Sequence, residues 1–342
     1  MRYETARLAD FSVLQGEERR KSFDRSFFAL VMLLLLLRVI MVLSASFPRA
    51  YYDPGHITGG RAGYYFVRQL IFAAAGVAAM LLCSRFPIGF YRRYAKHFMA
   101  FTLVLLALVP FIGIKANGSR RWLGVGSLTV QPSELAKLAV ILLFAAMLFL
   151  GGAPLGWFAA AFGAGGAALG VLLVFFPYAS GRITTWRDPF SSSSDEGYQI
   201  VQLLYTIGSG GLGGVGLGAS RKKYLYLPEE HNDFIFSVLC EELGFLGAVL
   251  VLVLFAMLIL RGYRIALRCA DPFSFLVTAG ITTLLALQVF LNVAVVTNLL
   301  PCTGISLSFF SYGGTALIIQ LVEMGIFLSA STERVHKGDR IE

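Results

Sequence analysis

Long apolar runs alternate with short polar stretches along this chain. Eight runs of low charge fall roughly at 27–47, 65–84, 98–114, 134–151, 155–177, 234–260, 274–298 and 308–330. Each is close to the ~20 residues that a helix needs to cross a hydrocarbon layer. The pattern predicts an all-α, polytopic membrane domain over 27–330, flanked by polar tails at 1–26 and 331–342. The first run is longer than a signal-peptide core and has no obvious small-residue cleavage site, so it is expected to remain as a span. Between the fifth and sixth runs lies one large polar segment, 178–233. Within it Tyr198, Ile200, Val201, Leu203, Leu204 and Ile207 form an apolar surface broken by Gln199 and Gln202, which predicts short helices on or in the outer leaflet.

Composition excludes a water-soluble domain: 57% of the 342 residues are hydrophobic and 14% charged, against about 45–50% and about 25% in soluble domains. The net charge of +9 therefore reports membrane orientation rather than nucleic-acid binding. Residues 1–26, 85–97, 152–154, 261–273 and 331–342 hold 16 of the 29 Lys and Arg, whereas the longer alternate set (48–64, 115–133, 178–233 and 299–307) holds 10. Denser positive charge marks the cytoplasmic side, so both termini are expected inside and 178–233 outside. Cys83, Cys240, Cys269 and Cys302 have no C-x-x-C spacing and indicate neither a disulfide framework nor a zinc site. Seven glycines between Gly208 and Gly218 suit either a closely packed turn or a ligand contact. They lack the strand–helix context of a phosphate loop.

The informative ionisable groups lie within or at the edge of apolar spans, because an unpaired charge there costs about 2.5–3.5 kcal/mol even on a lenient scale. They are Arg38, Arg68, Glu134, Lys137, Glu241, Glu242 and Glu323, with Asp233 at the mouth of the sixth span. Pro132 suits the first turn of the fourth span, where Glu134 and Lys137, three residues apart, can pair or line a polar cavity. Arg120 and Arg121, beside Trp122, suit an anion or a headgroup anchor. Residues 221–233 gather Arg221, Lys222, Lys223, Glu229, Glu230, His231 and Asp233 at the outer interface. Asp233, Ser237 and Glu241 would form one polar stripe about 12 Å long on a helix starting near Asp233. Asp233 then serves either as the helix cap or as a base. Glu241 and Glu242 read as buried, partnered carboxylates, and lone His231 as an interface residue rather than a metal ligand. Pro301, Gly304, Ser306, Ser308, Ser311, Tyr312 and Gly313, where the chain enters the eighth span, predict broken helix lining a cavity.

Ordered stretches of this chain resemble the SEDS family of bacterial cell-wall proteins, whose branches are FtsW, RodA and SpoVE. They are NGSRRWL (117–123), QPSELAKL (131–138), GYQIVQ (197–202), GSGGLGGVGLGASRKK (208–223), YLPEEHNDFIF (226–236), EELGFLG (241–247) and LLPCTGISLSFFSYGG (299–314). NGSRRWL and the run into YLPE are most similar to the FtsW and SpoVE branches. The resemblance implies a peptidoglycan glycosyltransferase that polymerises lipid II, with Asp233 matching the catalytic aspartate and Glu134 and Lys137 a functional pair. Arg120, Arg121, Arg221, Lys222 and Lys223 would face the pyrophosphate, and Glu229, Ser237, Glu241, Ser311 and Tyr312 would support the substrate. It also implies a class B penicillin-binding protein as partner, other division or elongation membrane proteins, the nascent glycan strand as ligand, and assistance from a divalent cation, Mg or Mn.

One departure stands out. The family usually has ten spans, with a hairpin after the fourth carrying a QPDLGTA-like element, whereas here Leu150-Gly151-Gly152-Ala153-Pro154 runs directly into the fifth run. The hairpin is expected to be absent. Arg38 inside the first span has no account from sequence. Polar cavities would also suit a lipid II transporter, and the reduced helix set a non-catalytic scaffold of the division machinery. A transporter, though, should show two related halves with broken helices, and no internal repeat is visible.

Overall fold

The computed structural model describes residues 23–52, 58–116, 119–125, 128–151, 163, 167, 177–190, 195–220, 233–302, 304–310 and 313–332. The predicted fifth span, 155–177, therefore falls almost wholly outside the described residues. Helices are α1 (Arg25–Tyr52), α2 (Tyr64–Cys83), α3 (Ile88–Ile112), α4 (Pro132–Gly151), α5 (Pro177–Arg187), α6 (Asp195–Ser209), α7 (Ile235–Ala266), α8 (Pro272–Val296) and α9 (Gly314–Ser331). Seven of them, all but the short α5 and α6, are long and apolar enough to cross a membrane.

Two boundaries and one sheet differ informatively from the hydropathy pattern. Helix α3 begins at Ile88 rather than near 98, because Arg92, Arg93 and Lys96 interrupt the low-charge run without interrupting the helix. The Arg92 guanidinium lies 4.4 Å from the Phe149 ring centroid, so that cation is accommodated on an aromatic face. Helix α9 begins at Gly314 rather than 308, leaving a longer irregular entry. Between α3 and α4 the outer segment forms a three-stranded antiparallel sheet, β1 (Ile114–Ala116), β2 (Ser119–Val125) and β3 (Leu128–Val130), which the apolar pattern does not announce.

The core is a continuous apolar cluster among α1, α2, α4, α7, α8 and α9, with Phe27 stacked on Phe327 at 4.1 Å. Helix α6 joins it. Ile200 and Leu203 are buried, and Leu204 and Ile207 pack against the same cluster, so the apolar surface expected to face lipid instead covers protein, while Tyr198 stays exposed. At the opposite end of the bundle Asp24 accepts the backbone N–H of Phe27 at 2.8 Å and pairs with Arg261 across 2.8 Å, tying the start of α1 to the end of α7.

Helix α7 is broken at Gly244, whose φ of 69° and ψ of −171° no other residue adopts readily. The glycine segment after α6 enters this break. Val215 and Gly216 donate backbone N–H groups to the carbonyls of Glu241 and Glu242 at 2.9 and 3.0 Å, and Phe245 and Leu246 donate back to Gly211 and Leu212 at 2.9 and 3.1 Å. Four hydrogen bonds thus replace those lost at the break. The approach is so close that a Cβ on Gly214 would collide with the Glu242 carbonyl and one on Gly244 with the Gly214 nitrogen. The glycine cluster is a packed clasp.

Replacing Gly244 with Ala should lower the thermal unfolding midpoint of the purified protein in detergent sharply, since the dihedral alone costs about 1–3 kcal/mol and the collision adds to it. Gly208→Ala, where the added methyl meets nothing within 4 Å, should leave the midpoint nearly unchanged.

Candidate functional site

The clasp fixes the short outer piece of α7, and that piece carries Asp233 at its mouth. Phe234 occupies the N-cap position, so Asp233 stands one residue outside the helix and the capping reading does not hold. Its side chain is half-buried. Its backbone carbonyl accepts a hydrogen bond from Asn292 Nδ2 at 2.9 Å, and the same nitrogen donates to the carbonyl of Ile305 at 2.7 Å. Asn292, on α8 and 1% exposed, therefore stitches the catalytic candidate to the irregular segment before α9. Gly304, at φ +64°, turns that segment beside Asp233, and a Cβ there would sit 3.3 Å from Asp233 Oδ2. The Oδ1 atom of Asn292 is buried without a partner, so what the side chain contributes here is its two donated bonds.

The described residues between 298 and 313 are non-helical, as the Pro and Gly content predicts; Leu299 and Gly304 are exposed, whereas Leu307, Ser308, Phe309 and Phe310 are all buried. Helices pin this segment from several sides. Ser308 donates to Gln288 on α8 at 2.6 Å, and Gln320 on α9 accepts from the Phe309 N–H at 2.9 Å. Arg182 on α5 donates to the Cys302 carbonyl at 2.8 Å, and the Trp186 indole to the Asn298 carbonyl at 3.0 Å. Arg38, the unexplained charge of the first span, donates to the Gly313 carbonyl at 3.2 Å. With the Gln69 amide oxygen turned towards it, Arg38 also donates from Nε at 2.7 Å. Arg38 thus joins α1, α2 and the start of α9.

The expected stripe of Asp233, Ser237 and Glu241 does not form. Ser237 is fully buried and returns its hydroxyl to the Phe234 carbonyl at 2.7 Å, within its own first turn. Glu241 is buried and accepts from the Ser220 hydroxyl, while Glu242 accepts from Ser44 of α1 at 2.6 Å, so both are partnered as expected. They secure the clasp and the first span.

Lys137 and Glu134 pair at 2.6 Å at the head of α4. Buried Glu323 on α9 lies within electrostatic reach of both. Glu323 follows Gln320 by three residues, so one face of α9 meets both the irregular segment and the charged pair. Arg120 is exposed and donates to the carbonyls of Pro110 and Phe111 at 2.8 and 2.9 Å, which places it as a cap on α3 rather than as a free anion ligand. Arg121 is exposed on β2. Arg221, Lys222, Lys223, Glu229, His231, Ser311 and Tyr312 lie outside the described residues. Among the described residues the cysteines are free and no group of three or more His, Cys, Asp or Glu could hold a metal.

Asn292, Gln288, Gln320 and Gln69 escaped sequence reasoning because only ionisable groups were sought within spans. A lone amide in an apolar run, as in Phe290-Leu291-Asn292-Val293, is the signal that would have found them.

Comparison with known proteins follows this framework closely. The family model FTSW_RODA_SPOVE, described as "Cell cycle protein", matches residues 24–148 and 142–336, so the match divides near the end of α4. Stage V sporulation protein E of Bacillus subtilis is 36% identical, aligned over 92% of this chain and 98% of its own length. That alignment of 363 positions exceeds the 342 residues here, so the relative carries residues with no counterpart in this chain. A probable peptidoglycan glycosyltransferase FtsW of Geobacter metallireducens is 36% identical over 86% of this chain and 90% of its own. Among solved structures, a chain of a peptidoglycan synthase complex that coordinates polymerization and crosslinking is similar at TM-score 0.70 and 25% identity, covering 91% of this chain and 98% of that one. The rod shape determining protein RodA of Thermus thermophilus is similar at TM-score 0.64 and 27% identity, covering 92% and 98%.

If Asn292 and Arg182 hold the irregular segment, the buried Cys302 reports on it. In protein whose other cysteines are replaced by Ala, Asn292→Ala and Arg182→Ala should each raise the rate of maleimide labelling at Cys302 about tenfold or more.

Proposed function

This chain belongs to the FTSW_RODA_SPOVE family of cell cycle proteins, and on that footing we propose that it is a peptidoglycan glycosyltransferase that polymerises lipid II into glycan strands at the outer face of the bacterial cytoplasmic membrane. The observation that carries the reading is the seating of Asp233. A carboxylate stands just outside the end of a long apolar helix, its backbone fixed by Asn292 and its side chain against the turn at Gly304.

In the proposed reaction Asp233 takes the proton from the 4-hydroxyl of the acceptor sugar while that oxygen attacks the anomeric carbon of the donor. The bond from that carbon to the polyprenyl pyrophosphate breaks, and the centre inverts. A carboxylate aimed at a developing charge is effective only where its position is prepaid, which is the work of Asn292 and the pinned segment. Arg121 and the Arg221, Lys222 and Lys223 cluster would stabilise the leaving pyrophosphate. Arg120 supports this indirectly, by capping α3 beside the sheet that carries Arg121. A divalent cation, Mg or Mn, accompanying the pyrophosphate would neutralise it further, and no step above depends on it. An open apolar groove of about 540 Å³ between α1 and α2, walled by Leu35, Val39, Leu70, Ala73 and Val77, offers room for part of the polyprenyl tail.

Both termini are proposed to lie in the cytoplasm, from the Lys and Arg distribution. A class B penicillin-binding protein is the proposed partner, in keeping with the crosslinking described for the similar synthase complex. The chain is proposed to lack one helical hairpin after α4, where the family match divides.

Reconstituted with lipid II and a cognate class B penicillin-binding protein, the wild type should make glycan chains and Asp233→Asn should make none; an Asp233→Asn rate equal to wild type would refute the assignment. Translocation of lipid II without polymer would instead identify a transporter, and neither activity a scaffold.

Lys137→Met should lower the polymerisation rate more than the double variant Glu134→Gln/Lys137→Gln. The single change leaves Glu134 beside Glu323 with no cation between them.

A further inference from the structure

The net charge of the chain can be traced to one stretch. Between Pro54 and Ser133 there are nine Lys and Arg and no Asp or Glu, and four of the nine (Arg85, Arg92, Arg93 and Lys96) crowd the elbow between α2 and α3. Arg92 turns inward onto Phe149. Arg85, Arg93, Lys96 and His97 are exposed. The carboxylates described at this end of the bundle are engaged elsewhere: Asp24 holds Arg261 and Asp271 caps α8 at Ser274.

Arg85 stands just before α3, Arg93 borders the lipid face of that helix, and Lys96 lies further round on its flank. Phe90, Tyr94, His97, Phe101, Val104 and Leu108 recur at the spacing of a single helical face and are all exposed, whereas Ile88, Ala95 and Thr102 on the opposite face are buried. Along that exposed face the chemistry changes with depth. From Phe101 onward it is wholly apolar. From Phe86 to His97 it is an aromatic ladder, with Phe86 and Phe90 stacked at 5.1 Å, Phe90 and Tyr94 at 4.8 Å, and Tyr94 and His97 at 5.9 Å. Arg93 lies 6.0 Å from the Tyr94 centroid. A 25-residue helix is about 37 Å long, some 7 Å more than the hydrocarbon layer. With the outer end of α3 capped by Arg120, the surplus lies at this elbow, where the aromatic rings and cations reach headgroup level.

We propose that the α2–α3 elbow is a binding site for an anionic phospholipid of the inner leaflet. Its phosphates would be held by Arg85, Arg93 and Lys96, its glycerol region by the Phe90 and Tyr94 rings, and its acyl chain along Phe101, Val104 and Leu108. The combination selects a lipid over a soluble anion, because the cations stand at the top of an apolar track long enough for an acyl chain. It selects an anionic lipid because the 80 residues from Pro54 to Ser133 contain no acidic side chain and Asp24 and Asp271 are engaged elsewhere. The proposal rests on the orientation proposed above, and labelling Ser84→Cys, in protein whose native cysteines are replaced by Ala, from either side of oriented vesicles tests that orientation separately.

The test is native mass spectrometry of the full chain in detergent, titrated with cardiolipin, phosphatidylglycerol or phosphatidylethanolamine. The wild type should retain cardiolipin and phosphatidylglycerol but not phosphatidylethanolamine, and soluble glycerol phosphate should not compete. Arg85→Gln/Arg93→Gln/Lys96→Gln should weaken cardiolipin retention at least tenfold. Phe90→Ala/Tyr94→Ala, which leaves the charge intact, should weaken it several-fold. An outer-face control with the same charge change, Arg61→Gln/Lys115→Gln/Arg187→Gln, should bind as the wild type does. Equal weakening in both triple variants would reduce the effect to net charge and overturn the site. Unchanged binding in the elbow variant would also overturn it, leaving the face to an acidic protein segment.

Discussion

A backbone amide or carbonyl at membrane depth finds no water, and this protein departs from the helix in the two places where its candidate chemistry sits. The departures are tolerated because each is paired by a different device. At Gly244 the pairing is backbone to backbone, and it needs glycine on both sides, because a single Cβ would hold the segments apart. Along the described residues between 298 and 313 the pairing comes from side chains: Asn292, Gln320, Arg38, Arg182 and Trp186 reach in from four helices. The position of Asp233 depends on both, since the clasp fixes the helix below it and Asn292 fixes the segment beside it.

The charged groups within the spans serve the same end. Arg38, Glu241 and Glu242 would each be costly in hydrocarbon, and each has a polar partner on another element. Glu241 and Glu242 are neighbours in sequence but diverge, one to the outer segment at Ser220 and the other to α1 at Ser44. They flank the clasp, whose donated N–H groups end on their own carbonyls. Removing one partner from such a pair leaves the other buried and uncompensated, so these contacts specify geometry more than they add stability.

Much of the architecture was legible in the hydropathy pattern, because crossing a bilayer demands length and apolarity that few other structures need. The exceptions have physical causes. The start of α3 was misplaced because charge density ends a hydropathy run, whereas cations that reach the headgroups do not end a helix. The sheet between α3 and α4 was missed because strands of three to seven residues leave little periodicity. At the candidate site, Asp233, Glu134 and Lys137 stand out in the sequence because ionisable residues near apolar runs are conspicuous. Asn292 does not, since an amide carries no charge, and its importance lies in the two carbonyls it joins, 59 and 13 residues away. The polar stripe was a fair extrapolation from ideal helix spacing. It failed because Ser237 found a nearer acceptor in its own turn, and because Glu241 was claimed by Ser220.

The clasp also sets an order of events during biogenesis. Residues 211–216 precede α7 in the chain, yet the groups they satisfy lie on either side of Gly244. As α7 is laid into the bilayer, its own helical hydrogen bonds are the available partners for those groups, which favours a straight helix. The break becomes favourable when the glycine segment docks and supplies four replacements. The bent form of α7 is therefore a product of tertiary assembly, and a chain whose outer segment fails to dock would keep a continuous span and carry Asp233 out of register with the segment that should meet it.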